Sequence, residues 1–125
     1  MATKLIKKGC DETLARRVID GLRRAGLVSD ERFTEMLVRV RRTRGFGPLR
    51  IKKELQEKSV AGELIDRWLD ISGREWTNDI RRVRHKKFGT KLPKNFTERA
   101  RQMRFLQYRG FTHDQIQRAF GRDED

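Results

Sequence analysis

Cysteine is almost absent from this chain. Cys10 stands alone, so no internal disulfide can form, and a single thiol reads as a small buried apolar residue. Proline occurs only at Pro48 and Pro93, and both fall at breaks between helical segments. Long apolar runs are missing. Spanning a bilayer takes about 20 predominantly apolar residues, so no partner within a membrane is expected. The opening Met1-Ala2-Thr3-Lys4-Leu5-Ile6-Lys7-Lys8 lacks the apolar region of a signal peptide, which makes the cytoplasm the expected location. The two histidines, His85 and His113, have no metal-ligand spacing. Neither Gly45-Phe46-Gly47-Pro48 nor Gly89-Thr90-Lys91 follows the phosphate-loop pattern of two glycines with four residues between them leading into Lys and a hydroxyl residue. The carboxylates are scattered as helix caps and i, i+4 partners. No catalytic constellation, metal or cofactor is expected, and an enzyme is the least supported class.

What is present is positive charge. The 125 residues are 35% hydrophobic and 39% charged, with a formal net charge of +13. A chain of this length is one domain or a set of small repeats, and its core must be built from narrow apolar stripes on polar helices. The imbalance points to a polyanionic or acidic partner: nucleic acid, an acidic protein face or a membrane surface.

Every sustained period is helical, and no strand alternation persists outside it. Leu14, Val18 and Leu22, with Ala15 and Ile19, form one stripe, and Gly26 stops that helix. Asp30 is a candidate N-cap for a helix carrying Phe33, Met36, Leu37 and Val40. Ile51 and Leu55 follow, then Leu64, Ile65, Trp68 and Leu69. Ser72-Gly73-Arg74-Glu75 fits a capping box ahead of Trp76, Ile80 and Val83. Gly89 ends that helix, and Thr90 to Asn95 is a loop. Phe96 to Arg109 carries Ala100, Met103 and Leu106, Gly110 closes it, and Thr112 to Gln115 is a second capping box before Ile116, Ala119 and Phe120.

These helices repeat. Leu55-Gln56-Glu57-Lys58-Ser59-Val60 matches Leu106-Gln107-Tyr108-Arg109-Gly110-Phe111, 51 residues later. Phe33, Leu37, Val40 and Arg44 match Trp76, Ile80, Val83 and Lys87 at an offset of 43, and the loop around Pro93 accounts for the difference. Leu5-Ile6-Lys7-Lys8-Gly9-Cys10 carries the same motif. The unit is three helices, and the predicted repeats are 1–27, lacking its opening helix, 28–71 and 72–125. The expected fold is all-α, with tandem three-helix repeats stacked into an elongated, curved right-handed or solenoid-like array. A monomer is the simplest state, because the repeats bury one another.

The densest basic stretch runs from Arg39 to Lys58, with eight Lys/Arg against two Glu. Within it one helix stops at Gly45-Phe46-Gly47 and Pro48 starts the next from its first position. Arg41, Arg42 and Arg44 cannot all point inward with Leu37 and Val40, nor can Arg81, Arg82 and Arg84 beside Ile80 and Val83. The candidate partner-binding residues are Arg39, Arg41, Arg42, Arg44, Phe46, Arg50, Lys52, Lys53, Arg81, Arg82, Arg84, Lys87, Arg104, Tyr108 and Arg109. Phe46 and Tyr108 join the set as aromatics off the main stripes beside basic residues. Trp68 and Trp76 lie on stripes and belong to the core. Register places Arg44 on Lys87 and Lys58 on Arg109, so stacked units are expected to present basic ridges at similar places.

Several stretches together resemble the RecX family of bacterial recombination regulators. They are Gly26-Leu27-Val28-Ser29-Asp30-Glu31-Arg32-Phe33, Arg44-Gly45-Phe46-Gly47-Pro48-Leu49-Arg50-Ile51 with Glu54, Leu55 and Lys58, and Phe105-Leu106-Gln107-Tyr108-Arg109-Gly110-Phe111 with Ile116. The resemblance implies tandem three-helix repeats and a partner, the RecA filament on single-stranded DNA. It further implies that ATP hydrolysis, strand exchange and RecA-dependent repressor cleavage are inhibited, and direct DNA binding is compatible with it. The alternative is a helix-turn-helix DNA-binding protein built on Lys52 to Leu69. Against that, Gly62 to Leu69 is acidic and apolar rather than rich in base-reading side chains.

Overall fold

A computed structural model describes residues 14–120, and every regular element in that span is an α-helix. They are α1 (14–24), α2 (Asp30–Thr43), α3 (Pro48–Glu57), α4 (Gly62–Trp68), α5 (Glu75–Phe88), α6 (Phe96–Arg109) and α7 (His113–Ala119). The Leu5 to Cys10 motif and the acidic tail Asp123-Glu124-Asp125 lie outside the described residues. The chain is all-α, with two successive three-helix units, α2–α3–α4 and α5–α6–α7. In each unit the first helix packs chiefly against the third.

Local chemistry sets the helix ends. Ser29, not Asp30, caps α2: its hydroxyl accepts from the Arg32 amide at 3.1 Å. Asp30 and Glu31 sit instead in the first turn, where negative charge meets the positive end of the helix dipole. The Ser72 capping box does not form. Ser72 Oγ bonds the Asp70 carboxylate at 3.2 Å, and α5 starts behind Arg74 with no side-chain cap. The Thr112 box does form. Thr112 Oγ1 accepts from Gln115 N, and Gln115 Oε1 accepts from Thr112 N. The Gln115 side chain also donates to Ile71 O at 2.8 Å, tying α7 to the linker between the units.

One core runs through both units. Phe33, Leu37, Ile51, Leu55, Ile65 and Leu69 serve the first, and Trp76, Ile80, Leu106, Phe111, Ile116 and Phe120 the second. Each such side chain contributes about 1.5–3 kcal/mol when fully buried. The inner face of α2 is turned from the expected one. Phe33, Thr34, Leu37, Val38 and Arg41 are buried, while Met36 and Val40 are only partly covered. The α1 stripe is also less buried than its pattern predicts: Ile19 is 3% exposed, but Leu14 is 60% and Val18 49%. In register, Leu14, Ala15, Val18 and Ile19 of α1 correspond to Leu64, Ile65 and Trp68 of α4 and Leu69 at its end. That face of α4 is spent on α2, the first helix of its own unit. On α1 the same face lines an open apolar depression of about 560 Å³ with Met36 and Val40.

Candidate functional site: a basic and aromatic seam between the units

The α2–α3 link docks on the end of α6. Gly47 N donates to Arg109 O at 2.7 Å and Leu49 N to Gly110 O at 2.9 Å. Gly47 is needed here for space rather than for a left-handed conformation, since its φ is −91°. A Cβ on it would lie 2.5 Å from Gly110 C and Phe111 N. Gly110 does both jobs: its φ is +102°, and a Cβ there would meet Arg50 Cβ at 2.5 Å. Gly47→Ala is therefore expected to push the units apart and cost about 1–3 kcal/mol, as overpacking does. A thermal melt followed by circular dichroism checks this, and an unchanged midpoint would contradict the close approach.

Around this joint, cations and rings alternate. The Arg50 guanidinium lies 5.2 Å from the Tyr108 ring centroid and 4.5 Å from that of Phe46. The Arg109 guanidinium lies 5.1 Å from Phe46 and 5.3 Å from Phe105, and Lys87 Nζ is 5.4 Å from Phe105. The series Tyr108–Arg50–Phe46–Arg109–Phe105–Lys87 thus passes from the second unit into the first and back. Guanidinium groups over aromatic faces are held by the ring quadrupole, each contact worth about 0.5–1 kcal/mol where exposed. Two depressions border the series. One of about 390 Å³ is lined by Arg44, Phe46, Arg50, Phe105, Tyr108 and Arg109. The other, of about 570 Å³, shares Arg44, Phe105 and Arg109 and adds Arg82, Lys86 and Lys87. No carboxylate lines either. A third, of about 900 Å³, continues past Phe46, Arg50 and Tyr108 to Arg16, Lys53 and Lys58, with Glu54 and Glu57 in its wall.

The candidate residues divide. Arg44, Phe46, Arg50, Lys53, Arg82, Lys87, Tyr108 and Arg109 come together along the seam. Arg39 lies elsewhere, beside the apolar depression of α1, with Glu35 at 3.4 Å. Lys52, Arg81 and Arg104 lie outside the linings of the seam. Arg41 and Arg84, expected on the outside, are internal at 8% and 3% exposed. Arg41 makes a bidentate pair with Glu54 of α3, at 2.8 and 3.0 Å. Arg84 occupies the same register position in the second unit, but the residue matching Glu54 there is Phe105. Arg84 instead donates to Lys91 O at 3.4 Å and lies over Phe120 at 5.5 Å. Burial lowers its pKa from the usual arginine value.

Arg42 is also structural. Its Nε and one terminal nitrogen reach Asp79 of α5 at 2.8 and 3.0 Å, and its guanidinium covers Trp76 at 4.8 Å. The hydrogen bond to Asp79 raises the Arg42 pKa against the opposing effect of burial. At the register pair Lys58 and Arg109, the Lys58 ammonium is held by Asp20 at 3.2 Å and Arg109 donates to Arg44 O at 3.0 Å. Phe105 and Lys86 were not among the sequence candidates. The basic pair Lys86-Lys87 marks the second. Phe105 carried a signal too, since it replaces a carboxylate at a repeat position.

Among the described residues no group of His, Cys, Asp and Glu could hold a metal, and no helix is long and apolar enough to cross a membrane. Fold and site define a helical-repeat protein of the interaction type, two three-helix units fastened into one surface with a cationic seam. Family models described as "RecX, second three-helix domain" and "RecX, third three-helix domain" match residues 29–69 and 78–120. Curated relatives named "Regulatory protein RecX" match along all or nearly all of the chain. The protein from Halorhodospira halophila is 40% identical over all of this chain and 78% of its own. That from Ectopseudomonas mendocina is 38% identical over 94% of this chain and 79% of its own. The one from Pseudomonas putida KT2440 is 38% identical over all of this chain and 81% of its own. The chain belongs to the RecX family.

Proposed function

We propose that this protein is a non-enzymatic regulator that binds the RecA filament on single-stranded DNA and inhibits its ATPase, strand-exchange and coprotease activities. The relatives' name supports the regulatory part. One observation carries the rest: two contiguous depressions at the unit joint, walled by Arg44, Arg82, Lys86, Lys87, Arg50 and Arg109, contain no carboxylate. Such a surface suits an acidic protein groove or a row of phosphates. A protein seated across neighbouring filament subunits would hinder the motions that turnover needs. The second reading, a helix-turn-helix DNA-binding protein, draws little support from α4. The exposed residues of that helix include Glu63, Asp66 and Arg67, and Arg67 is taken up by Glu31 at 3.1 Å.

RecA ATPase on single-stranded DNA, titrated with this protein, tests the proposal. Substoichiometric protein is expected to slow turnover, because one blocked subunit in a cooperative filament affects its neighbours. Full turnover at several-fold excess would remove the reading.

A further inference from the structure

We propose that the Tyr108 and Arg50 edge of the seam is a stacking platform for unpaired bases, through which the protein binds single-stranded DNA by itself, with no filament present. Tyr108 is 74% exposed although it stands at the end of α6 beside a packed joint. Its ring is not a loose surface group. Arg50 lies against it at 5.2 Å and donates from its guanidinium to Tyr108 O at 3.3 Å. Arg50 is itself backed by Phe46 at 4.5 Å. One face of the tyrosine is thus supported by a cation, and its high exposure leaves the other face to solvent.

An ordered aromatic face beside cations is the arrangement with which proteins hold unpaired bases, the ring taking the base and the cations the phosphates. Phosphate partners stand on both sides, Arg44 and Arg109 in one depression and Arg16 and Lys53 in the next. The second depression also contains two carboxylates, Glu54, which Arg41 holds, and Glu57. An acidic protein face would use the arginines and lysines but leave the tyrosine ring without a task. Duplex DNA would offer the phosphates, but its bases are already stacked and paired. The exposed ring therefore favours a single strand.

The platform belongs to the seam but does not depend on the RecA reading, and its binding assay uses no RecA; RecA inhibition is measured separately. Fluorescence anisotropy of a labelled oligodeoxythymidylate is compared with an abasic strand of equal phosphate count and with a duplex. The wild-type protein is expected to prefer the thymidylate over the abasic strand by roughly 5- to 150-fold for each base stacked. Tyr108→Ala should erase that preference with unchanged helicity, and Tyr108→Trp should keep it. Equal affinity for the base-bearing and abasic strands, a preference for duplex, or a folded Tyr108→Ala protein that still discriminates would each overturn the platform. Loss of filament inhibition in Tyr108→Ala without any oligonucleotide binding by the wild type would mark an acidic protein partner and overturn it as well. Tyr108-dependent strand binding in a protein that leaves RecA uninhibited would support the platform and count against the filament reading alone.

Discussion

A chain carrying Lys53→Glu, Lys86→Glu and Lys87→Glu is expected to need at least about 100-fold more protein to inhibit RecA, with helicity and melting unchanged. All three side chains are exposed and line the seam. Surface substitutions of this kind usually alter stability by about 0.5 kcal/mol or less each. Like charges juxtaposed across an interface cost several kcal/mol, and each 1.4 kcal/mol is about tenfold in affinity. Salt dependence then identifies what is lost. If phosphates are the partner, each lost contact should flatten the slope of log affinity against log salt by about 0.7. If an acidic protein face is the partner, salt should act mainly on the association rate. A folded triple variant that inhibits like the wild type would reduce the seam to a solvated face.

The second large effect concerns the fold. Asp79 is 4% exposed and holds Arg42 from the other unit with two hydrogen bonds, while Arg82 approaches it at 3.6 Å. Asp79→Ala strands the Arg42 guanidinium over Trp76 without its carboxylate. Removing one partner of a buried pair typically costs about 3–5 kcal/mol. The Arg42 side chain is 32% exposed, so the lower end applies. Against a usual total of about 5–15 kcal/mol, that is a severe loss, and the melting temperature should fall by more than about 10 °C. The double variant Arg42→Met/Asp79→Leu should recover most of it, because well-packed apolar residues often replace a buried pair without net cost. A melt of Asp79→Ala within a degree or two of wild type would show that the pair is not a clamp.

Much of this architecture was legible in the sequence because it is local. Helix stops at Gly26, Gly89 and Gly110 follow from positive φ angles that glycine adopts easily, and the Thr112 capping box spans only four residues. The repeat period was legible too. What could not be read was which arginines face inward. Arg41 and Arg84 sit in basic runs that look solvated when only helix neighbours are counted. Glu54, which takes up Arg41, lies on the next helix, and Phe120, on whose ring Arg84 lies, follows directly after the last. Register held a clue, since the two arginines occupy equivalent positions in the two units. The practical consequence is that Arg41→Glu would damage the core rather than probe binding. The seam was half legible. Gly45 to Pro48 and Tyr108 to Phe111 each stood out, but their contact joins segments some sixty residues apart, and no local pattern encodes it.

The joint at Gly47 and Gly110 is made of main chain. Its two amide-to-carbonyl bonds connect a link in one unit to a helix end in the other. In a linear array, stability is a sum of terms for each unit and terms for each contact between neighbours. Neither α4 nor α7, at seven residues, could persist as an isolated helix, which needs about 12–15 residues to be even marginal in water. The joint and the Asp79 clamp therefore make the two units cooperative in unfolding. When α6 and α7 open, the amide protons of Gly47 and Leu49 lose their acceptors, so their exchange with solvent keeps time with a unit to which they do not belong.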